Sequence, residues 1–235
     1  MDMEIGKVNG GIYYRIQDKN NKNPTKKVIY IHGGAFFLEA LKNHWNYCYR
    51  LSKETGCEII FPYYPLVPES SSEPSHNMLL SVYKELIKNI KPEDITIMGD
   101  SAGATLAFSL SMLIRDHGLP VPNEIILISP GFRIGDTTEE ENKRLEEIKK
   151  YDFLLDLNDY RVDALKGNLH GLPRITMFSG THDVLNIPAR RLAERMKKEG
   201  HPYCYIEKEG GIHVYALSNK SKKEFELTKS RILGN

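Results

Sequence analysis

An α/β architecture, a mostly parallel sheet covered by helices on both faces, is the fold class this sequence predicts. Three observations point to it. Short apolar runs alternate along the chain with longer segments of helical periodicity, the rhythm of strand–helix–strand units. Runs such as Val28-Ile29-Tyr30-Ile31 and Ile125-Ile126-Leu127-Ile128 are apolar at successive positions, as strands buried on both faces must be. Every segment with chemical promise follows directly after such a run, where open parallel sheets place their sites.

Taken in order, Gly11–Gln17 is strand-like and Lys27–His32 is a short apolar strand. Asn43–Thr55 reads as a helix stopped by Gly56. Cys57–Phe61 is a buried strand. Ser75–Asn89 is a helix with Leu79, Leu80, Val82, Tyr83, Leu86 and Ile87 on a broad apolar face. Asp94–Met98 is a buried strand, and Ala102–His117 is a helix apolar on nearly every side. Glu124–Ser129 and Arg174–Ser179 are further strands. Pro188–Lys198 is a helix with proline near its start and Gly200 past its end. Tyr203–Glu207 is a last strand and Ser218–Leu233 a closing helix. The stretch Gly131–His170 is far longer than the dozen or so residues a parallel crossover needs. It carries a charged run, Thr138–Lys150, and the more apolar Tyr151-Asp152-Phe153-Leu154-Leu155. Residues 131–170 therefore read as a small cap insertion within a single domain, 1–235; an elaborate surface connection is the plainer alternative.

The 235 residues suit one domain with a substantial core. A net charge of +1 gives no electrostatic case for nucleic acid or an acidic membrane. No run of about 18 apolar residues is present to span a bilayer. Met1-Asp2-Met3-Glu4 lacks the apolar centre of a signal peptide. Cys48, Cys57 and Cys204 form neither a zinc spacing nor a disulfide framework. The expectation is a cytoplasmic protein with reduced thiols and no metal; a homo-oligomer is compatible with it.

The most informative residues are Gly99-Asp100-Ser101-Ala102-Gly103. They lie where a buried strand stops and a helix begins. A serine on so tight a turn is pushed clear of the backbone, which makes Ser101 a candidate nucleophile. Such a pentapeptide arises by chance in roughly one chain of this length in twelve, so context must decide against a serine that merely caps a helix. A serine nucleophile needs a base, and the base an orienting acid. Asp183 follows one later strand and His213 follows the last. Alone, Asp183 could be a turn or cap residue and His213 a surface histidine. Together, in the order Ser, Asp, His and at strand ends, they suit a triad. His182 is an alternative base that its place beside Asp183 makes a loop residue, and Glu207 and Glu209 are rival acids. His32-Gly33-Gly34-Ala35 follows the strand at Lys27. Its backbone amides at Gly34 and Ala35, and also Gly33, together with that of Ala102, are candidate donors to an oxyanion; a plain glycine turn is the alternative. Phe36, Phe37 and Trp45 come next and are candidates to line a pocket or to pack the core.

These residues carry a family resemblance. His32-Gly33-Gly34-Ala35-Phe36, Gly99-Asp100-Ser101-Ala102-Gly103, Gly180-Thr181-His182-Asp183-Val184-Leu185 and Ile212-His213 resemble the hormone-sensitive-lipase-like branch of the α/β-hydrolases, which includes bacterial carboxylesterases and acetyl esterases. Tyr64-Pro65-Leu66-Val67-Pro68-Glu69 is similar to a segment of the same branch. The resemblance covers Lys27 to Tyr215. It implies hydrolysis of small, short-acyl carboxylic esters through an acyl-serine, without a cofactor, with Ser101 as nucleophile, His213 as base then acid, Asp183 as its partner and Gly33–Ala35 as the oxyanion loop. Ala35 stands where the family often has a third glycine, and Tyr215 where it often has phenylalanine. The short stretch before His32 leaves the cap to be built mainly by residues 131–170, which implies a more open acyl pocket than a long-chain lipase needs. Two other readings keep this fold: an amidase, formamidase or peptidase using the same triad, and a non-catalytic ligand-binding protein.

Overall fold

A computed structural model describes residues 2–21, 23–66, 72–132 and 165–234. One 8-stranded sheet runs through it in the order β1-β2-β4-β3-β5-β6-β7-β8. The strands are β1 (Asp2–Val8), β2 (Gly11–Gln17), β3 (Lys27–Ile31), β4 (Glu58–Tyr63), β5 (Ile95–Asp100), β6 (Glu124–Ile128), β7 (Arg174–Gly180) and β8 (Tyr203–Lys208). β1 and β2 pair antiparallel with each other, as do β2 and β4, while β4, β3, β5, β6, β7 and β8 are parallel neighbours. The described helices are α1 (Lys42–Thr55), α2 (Ser72–Leu86), α3 (Ala102–Asp116), α4 (Asn186–Glu199) and α5 (Lys222–Leu233).

The register explains the composition of the strands. Ile60, Ile29, Ile97, Ile125 and Ile175 lie side by side across five strands. All are fully buried in a core shared with residues of α2, α3 and α4. The alternate residues Val28, Tyr30, Met98, Ile126, Ile128 and Phe178 face the other way, into a second core with Leu51 of α1 and Phe225 of α5. Side chains alternate between the faces of a strand, so a sheet covered on both sides needs apolar residues at every position. That requirement is why the parallel strands stand out in the sequence.

Three features differ from the sequence expectation. β1 was not expected: its residues are mostly exposed, Met3 and Ile5 among them, so no buried face shows in the pattern. The signal that could have found it is Asn9-Gly10, which links Val8 to its partner Gly11 in a tight hairpin with Gly10 at φ 93°. The closing helix starts at Lys222 rather than Ser218, because a turn of 3₁₀ helix at Tyr215–Leu217 comes first and Ser221 bonds back to the Tyr215 carbonyl at 2.8 Å. α2 begins at Ser72 and ends at Leu86, three residues earlier than expected at each end. Thr138–Lys150, Tyr151–Leu155 and most of the 131–170 insertion lie outside the described residues, as do Val67, Pro68 and Glu69.

Candidate active site

The turn between β5 and α3 is held by close packing and backbone strain. A Cβ on Gly103 would run into the carbonyl oxygens of Ile31 and His32, and one on Gly99 into the Gly103 carbonyl. Only glycines let the helix sit this near the strands. Ser101, between them, has φ 50° and ψ −122°, a conformation that residues with a Cβ rarely adopt. Its amide donates to the Ile128 carbonyl at 2.8 Å, which anchors the turn to β6. Its side chain makes no capping hydrogen bond to α3. The helix-cap role that the sequence left open is therefore not the one Ser101 plays.

The hydroxyl meets a histidine instead. Ser101 Oγ lies 3.0 Å from His213 Nε2, and His213 Nδ1 lies 2.9 Å from Asp183 Oδ2. Burial alone would push the Asp183 carboxyl up, but the hydrogen bond and charge of His213, with hydrogen bonds from Ser129 and from the Leu185 amide, outweigh it and hold its pKa below the ordinary value. A carboxylate only accepts, so His213 must carry its proton on Nδ1, and the neutral ring then offers a bare Nε2 to the serine proton. The side chain of Asp183 is 1% exposed and that of His213 45% exposed. The acid is thus dry and fixed while the imidazole reaches the surface. Gly180 allows this meeting: a Cβ there would collide with the Gly211 backbone, and the His182 amide bonds to the Gly211 carbonyl at 3.0 Å. His182 is exposed on that loop. The rival acids are engaged elsewhere, Glu207 with Arg190, Asn186 and Tyr205, and Glu209 with Thr181.

The loop after β3 is tied down at its stem. The Asp100 carboxyl accepts from the Tyr30 hydroxyl at 2.7 Å and from the Gly33 amide at 3.1 Å. His44 Nε2 lies 3.3 Å from its other oxygen. Since His44 Nδ1 accepts the Leu41 amide at 2.9 Å, Nε2 is the nitrogen that carries a proton toward Asp100. The Gly33 carbonyl accepts in turn from His32 Nδ1 at 2.7 Å. His32 is stacked on Tyr64 with ring centres 4.6 Å apart, and burial lowers its pKa from the ordinary value. Tyr64 closes the circuit by donating to the His32 carbonyl at 2.8 Å. Gly33 is thus committed on both sides, which removes it from the expected set of free donors. Among the described backbone hydrogen bonds none is donated by the amides of Gly34, Ala35 or Ala102. Gly34, Ala35 and Phe36 have φ of 134°, 50° and 69°. The five described non-glycine residues with positive φ are Ala35, Phe36, Ser101, Ser129 and Val214. All lie at Ser101 or on a loop next to it, and such strain gathers where function requires an exact geometry.

Phe36 and Phe37 are half-buried beside this loop, Phe36 against the α2–α3 core and Phe37 on a groove with Tyr63, Tyr64 and Leu66. Trp45 is a correction. It stacks on Phe61 at 4.2 Å and meets Tyr14 edge-on at 5.4 Å, packing α1 onto the sheet. It shares the sheet-facing side of α1 with Cys48 and Ser52, which fixes its direction. Tyr30, His44 and Ser129 were missed at the sequence level; a lone Tyr, His or Ser in or beside a strand or helix carries no motif.

A profile of proteins with the alpha/beta hydrolase fold matches residues 28–217. An esterase of Acinetobacter venetianus is 31% identical over 198 residues, which cover 77% of this chain and 64% of that protein. A triacylglycerol lipase of Mycobacterium tuberculosis is 30% identical over 200 residues, covering 83% of this chain and 43% of the lipase. The chain thus spans less than two thirds of the length of these relatives. The crystal structure of an esterase from the bacterial hormone-sensitive lipase family matches with a TM-score of 0.89 at 21% identity, over 99% of this chain and 84% of that one. At that identity the structural likeness speaks for the fold alone.

Proposed function

The chain belongs to the α/β-hydrolase fold family, and from that premise we propose that it is a serine hydrolase of the hormone-sensitive-lipase-like branch, cleaving small carboxylic esters with short acyl chains. One observation carries the reading: an unbroken hydrogen-bonded line from Ser101 Oγ through His213 to a buried Asp183. In the first step His213 Nε2 takes the serine proton as Oγ bonds to the ester carbonyl carbon. The carbonyl oxygen becomes an oxyanion, and the amides of Gly34, Ala35 and Ala102 are the donors that receive it. The imidazolium, held by Asp183, gives its proton to the departing alkoxide as the C–O bond breaks, leaving an acyl-serine and a free alcohol. Water then repeats the sequence, activated by the same imidazole, and releases the carboxylic acid.

The 131–170 segment is the proposed cap. Its first residues leave β6 beside the nucleophile, with the Gly131 amide 3.4 Å from the Ser101 carbonyl and Phe132 edge-on to Phe108 at 5.3 Å. Its last residues return against α3, where Arg115 donates to the carbonyls of Asn168 and His170. These two anchors on α3 are what supports reading the segment as a cap, and Phe36 and Phe37 are the proposed apolar lining. The deciding experiment is hydrolysis of p-nitrophenyl acetate and butyrate by the wild type and Ser101→Ala. Turnover should vanish in the folded variant, together with labelling by a fluorophosphonate probe. Undiminished turnover in Ser101→Ala would refute the assignment.

A further inference from the structure

Ser129, the residue after β6, lies in no motif and is fully buried. Its backbone has φ 48°, a left-handed conformation that glycine takes freely and a residue with a Cβ takes at a cost. Its amide bonds to the Phe178 carbonyl at 2.8 Å, extending the β6–β7 pairing by one residue. The hydroxyl accounts for a serine at a glycine-like position. It accepts the Val214 amide at 3.0 Å, which leaves its own proton for the Asp183 carboxyl, whose charged form it helps to hold. Val214 follows His213 directly and is itself left-handed at φ 51°. One hydroxyl therefore uses both its capacities, one on the loop after β7 and the other on the loop after β8.

We propose that Ser129 is a positioning residue: it locks the Asp183 loop to the His213 loop, so that the carboxylate and the imidazole meet at a fixed distance. Resting as it does on the ester-cleaving reading of Ser101, His213 and Asp183, it adds a group that touches neither substrate nor reacting atoms. A second hydrogen bond on Asp183, besides that of the Leu185 amide at 2.9 Å, keeps the carboxylate from rotating away from His213 Nδ1. The bond to Val214 fixes the backbone on which the imidazole stands.

The test compares Ser129→Ala and Ser129→Gly with the wild type. Both variants lose the hydroxyl, but glycine relieves the backbone, so Ser129→Gly should keep its melting temperature. The kcat for p-nitrophenyl butyrate should fall about 10- to 100-fold in both, as expected for a lost hydrogen bond to a charged group, with KM nearly unchanged. Carbon-13 NMR of the Asp183 carboxyl supplies a readout independent of turnover: its titration midpoint should move up in both variants, because one donor to the charged form is gone. A wild-type kcat in Ser129→Gly, or an unmoved midpoint, overturns the proposal. If the wild type itself fails to cleave the ester, the esterase reading fails, and the Asp183 midpoint alone decides the role of Ser129.

Discussion

Two serine–histidine contacts stand at either end of the same stretch of α3, and they are built for different ends. Ser101 Oγ lies 3.0 Å from His213 Nε2 at the start of the helix. Ser109 Oγ lies 2.8 Å from His76 Nε2 within it. The second pair is the shorter and the more buried, with Ser109 and His76 0% and 1% exposed. Yet Ser109 gives its proton to the Leu106 carbonyl at 3.1 Å, so His76 must act as the donor. The hydroxyl proposed as the nucleophile is turned the other way: Ser101 sits outside helical geometry, makes no capping hydrogen bond, and faces an imidazole whose tautomer Asp183 has set. Proximity of serine and histidine is therefore not the signal. The direction of the proton and access from solvent are.

The sharpest way to break this contrast is to remove the two imidazoles in turn. His213→Ala should lower kcat by about 10⁶-fold, since the serine loses its only base. His76→Ala should leave kcat of the folded protein within about twofold and show its effect in a melting curve. Ester turnover per mole of folded protein measures the first, and calorimetry the second. Comparable losses of turnover in both would erase the distinction.

Asp183→Asn tests the acidic group that sets the tautomer of His213. An amide at this position can present N–H to His213 Nδ1 and favour the wrong tautomer, so kcat should fall about 10⁴-fold with little change in KM. The same substitution removes a pH-dependent contribution to stability. The folded Asp183 pKa lies below the ordinary value, so its stabilisation is fully present above about pH 4, the unfolded aspartate range, and is lost as the pH falls through the folded value. Urea unfolding at a series of acidic pH values should show a steeper loss in the wild type than in Asp183→Asn. Parallel curves would mean that the carboxylate gains nothing from its partners.

The same contrast explains what could be read from the chain. The parallel strands were legible because burial on both faces forces apolar residues at every position, as in Ile125–Ile128. Ser101 was legible because its glycines are sterically required. Asp183 and His213 were legible only by their order and their place after strands. β1 was not, since an exposed edge strand leaves no buried face in the pattern. Nor was the loss of Gly33 as a free donor, which depends on Asp100 reaching across from the neighbouring strand. Trp45 was left open between pocket and core for a related reason: closeness in sequence to the glycine loop says nothing about which side of α1 faces the sheet. Ser129, His44 and Tyr30 share one property, that their partners are remote in sequence and meet only once the sheet has formed.

The smallest expected effect is the most discriminating, because it concerns a serine that a motif-blind search would rank beside Ser101. Ser109→Ala removes the hydroxyl facing His76 Nε2 and nothing near the reacting groups. The imidazole loses an acceptor in a buried setting, and the expected cost is about 1–3 kcal/mol of folding stability. A small cavity is left, too small to let the helix move. Turnover should stay within about twofold of the wild type, and labelling of Ser101 should be unchanged. Urea midpoints and nitrophenyl ester rates measured on one preparation give both quantities. A loss of turnover without a loss of stability would mean that the buried pair feeds the active one through α3, and the separation drawn between the two would have to be abandoned.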